Sequence, residues 1–143
     1  MRLMIQDVTI QLPEPLYLRF QQVARATQQS LNEVILRAVQ VGSPPSWEEA
    51  PAEFQADLAA LDRLDDGALW RIARSTQLGD DMTRYQELLD KNANGLLTLA
   101  ERAELTKQRK AADRFLLRKA YAVDLLRWRG HAIPPAHQMT PLP

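Results

Sequence analysis

The sequence predicts a mainly α protein in which a single short N-terminal strand precedes a series of helices. Three observations carry this prediction. Apolar and polar residues alternate in one stretch only, Asp7 to Leu12, with the two-residue period of a strand. Elsewhere apolar residues recur every three or four positions, between prolines, glycines and helix-capping residues. No proline or glycine interrupts Leu99 to Arg129, so a helix of roughly 30 residues, about 45 Å long at the α-helical rise, is expected there.

In the strand, Val8, Ile10 and Leu12 point one way and Asp7, Thr9 and Gln11 the other. Pro13 and Pro15 stop it, because proline donates nothing to a ladder, and proline suits a first helical turn. A first helix is expected from Glu14 to Thr27, with Leu16, Phe20, Val23 and Ala24 on one face. Thr27-Gln28-Gln29-Ser30 breaks the pattern. Ser30 and Glu33 make a capping box for a second helix, Leu31 to Val41, which buries Leu31, Val34, Ile35 and Ala38. Gly42 and Pro44-Pro45 close it. A lone strand leaves both of its edges unpaired, and nothing nearby can pair with it as a hairpin. A second copy of the same strand, antiparallel across a two-fold axis, removes the problem, so residues 1–42 predict a homodimer.

Val8-Thr9-Ile10-Gln11-Leu12-Pro13, the helix with Leu16, Phe20 and Ala24, and Ser30-Leu31-Asn32-Glu33-Val34-Ile35 with Ala38 together resemble the ribbon-helix-helix family of small bacterial DNA-binding proteins, the Arc and MetJ class. The resemblance covers residues 1–42 only. It implies one strand per chain, paired between two chains and inserted in the major groove of double-stranded DNA, with Asp7, Thr9 and Gln11 facing base edges. It also implies a phosphate held at the start of the second helix by Ser30, Leu31 and Asn32. Gln28 and Gln29 stand where the family has a glycine followed by a basic residue.

Residues 43–53 read as a linker, with Ser43, Pro44, Pro45, Pro51, several acids and Trp47. Residues 54–130 read as a helical region. Short amphipathic helices are expected over Pro51 to Leu61 (Phe54, Leu58, Leu61), Asp66 to Arg74 (Leu69, Trp70, Ile72, Ala73, capped by Asp65 or Asp66) and Asp80 to Lys91 (Met82, Tyr85, Leu88, Leu89). Helices this short are stable only when packed, and Trp70 is read as core. The long helix carries a stripe of Leu105, Ala112, Leu116, Val123 and Leu126, with Phe115, Ala122 and Trp128 beside it. Gly130 ends it, and residues 131–143, with four prolines, read as an extended tail that orders on a partner.

Asp90 to Glu101 matches the calcium-loop string of the EF-hand, and that resemblance would place ligands at Asp90, Asn92, Asn94, the Leu96 carbonyl, Thr98 and Glu101, with Gly95 at the turn. The same residues also read as an αα-hairpin: Asn94-Gly95 as a left-handed helix end, Thr98 and Glu101 as the capping box of the next helix. The hairpin is the expected arrangement.

The net charge of zero hides an asymmetry. Residues 1–45 carry four basic against three acidic groups, residues 46–101 five against twelve, and residues 102–143 nine against three. The basic face of the long helix, Lys107, Arg109, Lys110, Arg114, Arg118 and Lys119, is expected to be solvated and partly paired with the acidic middle; the alternative is a surface for nucleic acid or an acidic partner.

Without cysteine there is no disulfide, zinc-thiolate site or cysteine nucleophile. The only histidines, His131 and His137, lie in the proline-rich tail, and no nucleophile–base pair or phosphate loop occurs, which argues against an enzyme and for no cofactor. No basic start with a long apolar run and no stretch of about 20 apolar residues is present, so a cytoplasmic protein without a membrane partner is expected. The expected function is a dimeric DNA-binding transcriptional regulator. Resemblance to ribbon-helix-helix antitoxins implies operator DNA for the N-terminal module and a toxin, often a nuclease, for the remainder. The alternative is an adaptor that dimerises through the ribbon and binds another protein by its helical region, without DNA.

Overall fold

A computed structural model describes residues 4–77 and 79–139, and of residues 79–81 the backbone only. The last four residues of the expected tail, 140–143, lie outside the described residues. The fold is mainly α, with helices α1 (Glu14–Thr27), α2 (Leu31–Val41), α3 (Ala52–Leu61), α4 (Asp66–Ala73), α5 (Gly79–Ala93) and α6 (Leu99–Trp128). The chain divides into two compact units, Met1–Ser43 and Pro44–Pro143.

In the N-terminal unit the expected strand is not formed. Ile5 to Leu12 has no regular structure, and Val8 and Ile10 are 79% and 57% exposed. A ladder needs the N–H and carbonyl groups of a second strand, and among the described residues the single chain offers none. Helices α1 and α2 have the expected limits. Pro15 lies in the first turn of α1, and α2 starts on the Ser30–Glu33 capping box, in which the Ser30 hydroxyl accepts from the Glu33 N–H at 3.1 Å and the Glu33 carboxylate from the Ser30 N–H at 3.4 Å. Between them α1 ends in a Schellman turn: Gln28 takes the left-handed conformation (φ 55°), while Gln29 N–H donates to the Ala24 carbonyl at 3.0 Å. Of this unit's described residues only Ala24 and Val34 are buried; Phe20, Val23, Leu31 and Ile35 are half-buried, and Leu16 and Ala38, expected inside, are exposed.

The second unit has the core. Leu58 and Leu61 of α3, Leu69 and Ala73 of α4, and Tyr121, Ala122, Leu125 and Leu126 of α6 form one buried cluster, with Trp47, Trp70 and Ile133 packed against it. α5 packs instead on the N-terminal half of α6, where Leu88 and Leu105 are buried. This division corrects the single stripe expected for α6. Leu116 and Trp128 are 60% and 49% exposed, whereas Tyr121 and Leu125 are inside. A long helix covered on different sides by different neighbours has no single buried face.

The hairpin between α5 and α6 is closed at both ends by backbone and cap. Gly95 (φ 70°) allows a Schellman turn in which Leu96 N–H reaches the Lys91 carbonyl at 2.9 Å, and Thr98 caps α6 through its hydroxyl. Helix α5 runs to Ala93, two residues beyond the expected end. A third such turn at Gly130 (φ 100°) sends the chain back: His131 N–H donates to the Leu126 carbonyl at 3.0 Å. The segment after it departs from a free tail, because Ile133 packs on the core and His131 Nε2 lies 2.7 Å from Asp66 Oδ2 and edge-on to Trp70.

Candidate nucleic-acid interface

Asp7, Thr9 and Gln11 lie in the irregular N-terminal segment and are exposed. Ser30, Leu31 and Asn32 lie together at the start of α2, and neither hydrogen bond nor ion pair links the two groups among the described residues. The helix start leaves the Leu31 and Asn32 N–H groups without a preceding turn to bond to, while those of Ser30 and Glu33 are taken by the capping box. That box also brings the Glu33 carboxylate to the helix start, beside the Ser30 N–H. The carboxylate itself is stabilised by the helix N-terminus, and any anion there meets its charge.

Of the calcium string, Asp90, Thr98 and Glu101 have their side chains bonded within the helical hairpin. Asp90 and Asn92 are in the last turns of α5, and the Asp90 carboxylate accepts from Gln86 at 2.9 Å. The Glu101 carboxylate accepts from Lys91 Nζ at 2.6 Å and from the Thr98 N–H at 3.2 Å. These bonds, the Lys91 ammonium first, hold the Glu101 carboxyl down at about 2. Beside it Arg84 makes two bonds, at 2.6 and 2.7 Å, to the Glu104 carboxylate, which keeps that acid below its ordinary value too. Among the described residues no group of three or more acids or histidines is placed to hold a metal ion.

The basic face of α6 is partly neutralised from within. Lys110 and Arg114 reach Glu53 and Asp57 of α3 at 3.5 and 3.0 Å. Lys119 Nζ donates to the Ser75 carbonyl at 3.0 Å. Lys107, Arg109 and Arg118 have no ion pair among the described residues.

Two constellations had no signal in the sequence. Arg129 bonds the Leu64 and Asp62 carbonyls and the Asp66 carboxylate, which His131 shares; Arg129 first and His131 second hold Asp66 below its ordinary value. Tyr121 donates to Asp62 Oδ1 at 2.6 Å, and burial, followed by that carboxylate, pushes its hydroxyl pKa up. Each joins residues some 60 positions apart, and only the fold brings them together. No protein-family model, no curated protein and no solved structure matches this chain.

Proposed function

We propose that this chain is a dimeric DNA-binding transcriptional regulator, the antitoxin of a toxin–antitoxin pair. Two copies of Ile5–Leu12 pair as a ribbon that presents Thr9 and Gln11, with Asp7, to the major groove of operator DNA. Leu31 and Asn32 N–H groups, with Ser30, meet a phosphate at the start of α2. The helical unit meets the protein partner.

One observation carries the reading. The N-terminal unit buries only Ala24 and Val34 among its described residues, yet keeps Val8, Ile10 and Leu16 exposed beside well-formed helices. Such a unit lacks a core until a second copy supplies one. Fluorescence anisotropy with duplex DNA from the protein's own promoter region, at low and then rising salt, tests it. Binding is expected that weakens with salt and is lost in Thr9→Ala/Gln11→Ala while the dimer persists. No binding to any duplex at low salt would refute the DNA reading.

A second reading has its own support, the Glu33 carboxylate at the helix start and the excess of only one positive charge over residues 1–45. On it the chain is an adaptor: the dimer forms, DNA does not bind, and the helical unit alone makes the functional contact.

A further inference from the structure

Beside α6 lie two adjoining clefts that share Phe115. One, of about 280 Å³, is lined by Arg71, Ile72 and Ser75 at the end of α4 and by Phe115 and Arg118 of α6. The other, of about 270 Å³, continues along α6 past Gln108, Ala111 and Ala112, with Tyr85 and Met82 of α5 opposite. The first is cationic and the second carries no charge among these residues. Arg71 and Arg118 come from different helices, and neither has an ion pair among the described residues. Lys119 does not line the cleft, but its ammonium donates to the carbonyl of Ser75, which does. The carbonyl end of α4 favours cations nearby, which accounts for Lys119. Arg71 and Arg118 are exposed where they line this cleft beside Ile72 and Phe115, and neither is paired with a carboxylate among the described residues.

We propose that this trough is the docking surface for an extended peptide segment of a protein partner, in which acidic residues are followed by apolar ones. The carboxylates lie between Arg71 and Arg118, where guanidinium geometry matches them. The apolar side chains run over Phe115 and Ala111 into the uncharged cleft. A nucleic-acid strand fits less well, because it would carry a phosphate at every residue along the trough, and cations line one end only. The site extends the protein-partner half of the proposed function and does not depend on DNA binding.

The test uses the full-length protein and a fluorescein-labelled ten-residue peptide bearing two glutamates next to a Leu-Phe pair, read by fluorescence polarisation. Saturable binding is expected. It should weaken at least about tenfold when Arg118→Glu or Arg71→Glu reverses a charge. The same loss is expected when Ala111→Trp fills the uncharged cleft, with circular dichroism confirming that each variant keeps its helices. Peptides with lysine for glutamate, or serine for the Leu-Phe pair, should bind at least about tenfold more weakly. Thr9→Ala/Gln11→Ala should bind the peptide unchanged, which separates failure of this site from failure of the DNA reading. Absence of peptide binding, equal binding by the serine peptide, tighter binding of oligothymidylate, or unchanged affinity in folded Arg118→Glu and Ala111→Trp would each overturn the proposal.

Discussion

Replacing Val8 and Ile10 together by serine tests the dimer that the proposed function requires. In the single chain these side chains are 79% and 57% exposed, so the monomer gives up little apolar burial when they are lost. In a ribbon dimer they become interior. Full burial of a branched aliphatic side chain stabilises by about 2 kcal/mol, so the exposed fractions leave about 3 kcal/mol per chain still to be gained, and about 6 kcal/mol per dimer because each substitution occurs twice. At about 1.4 kcal/mol per factor of ten, the dimer dissociation constant should rise about 10⁴-fold. Sedimentation equilibrium across a wide concentration range measures it, with far-UV circular dichroism as the control, since neither residue lies in a helix. A dissociation constant within about tenfold of the original would refute the reasoning. It would mean that Ile5–Leu12 stays as exposed in solution as in the single chain.

Two further outcomes follow from backbone and charge. Gln28 is the one described non-glycine residue at positive φ, and it is exposed, so Gln28→Gly should relieve the left-handed strain and stabilise the N-terminal unit by about 0.5–1 kcal/mol in chemical denaturation. Glu101 has its carboxyl lowered from 4.5 to about 2 by the Lys91 hydrogen bond and then the Thr98 N–H. A depressed folded value means the contribution is complete above about 4.5 and is lost as pH falls through about 2. Glu101→Gln keeps the capping box and removes that titration, so its melting temperature should fall less steeply than the parent's between those pH values.

Much of the helical architecture was legible because its signals are local. Pro15, the Ser30–Glu33 box, Gly95 and the Thr98–Glu101 box each fix a helix end through the backbone of their own neighbours. Helix α5 ends at the left-handed Gly95 turn that the hairpin reading expects, two residues past the Lys91 that apolar periodicity alone suggests. Burial along α6 was less legible. Its stripe depends on whether α5, α3 or α4 lies beside a given turn, and periodicity does not contain that. Gln28 was visible as a missing glycine, but its left-handed conformation is imposed by the Schellman turn that α1 adopts.

The sequence by itself determined the mainly α class, the limits of α1 and α2, and a lone N-terminal stretch of strand period with no partner in its own chain. These are properties of residues within a few positions of each other. Only the tertiary structure decided that Arg129 and His131 share Asp66, that Tyr121 bonds Asp62, and that Arg71 and Arg118 face one cleft. Such groups meet because helices pack, and packing is set by the whole apolar surface rather than by any local run of residues. The opening stretch remains the point where the two levels meet. Its period is written in the chain, and in the single chain it forms no ladder.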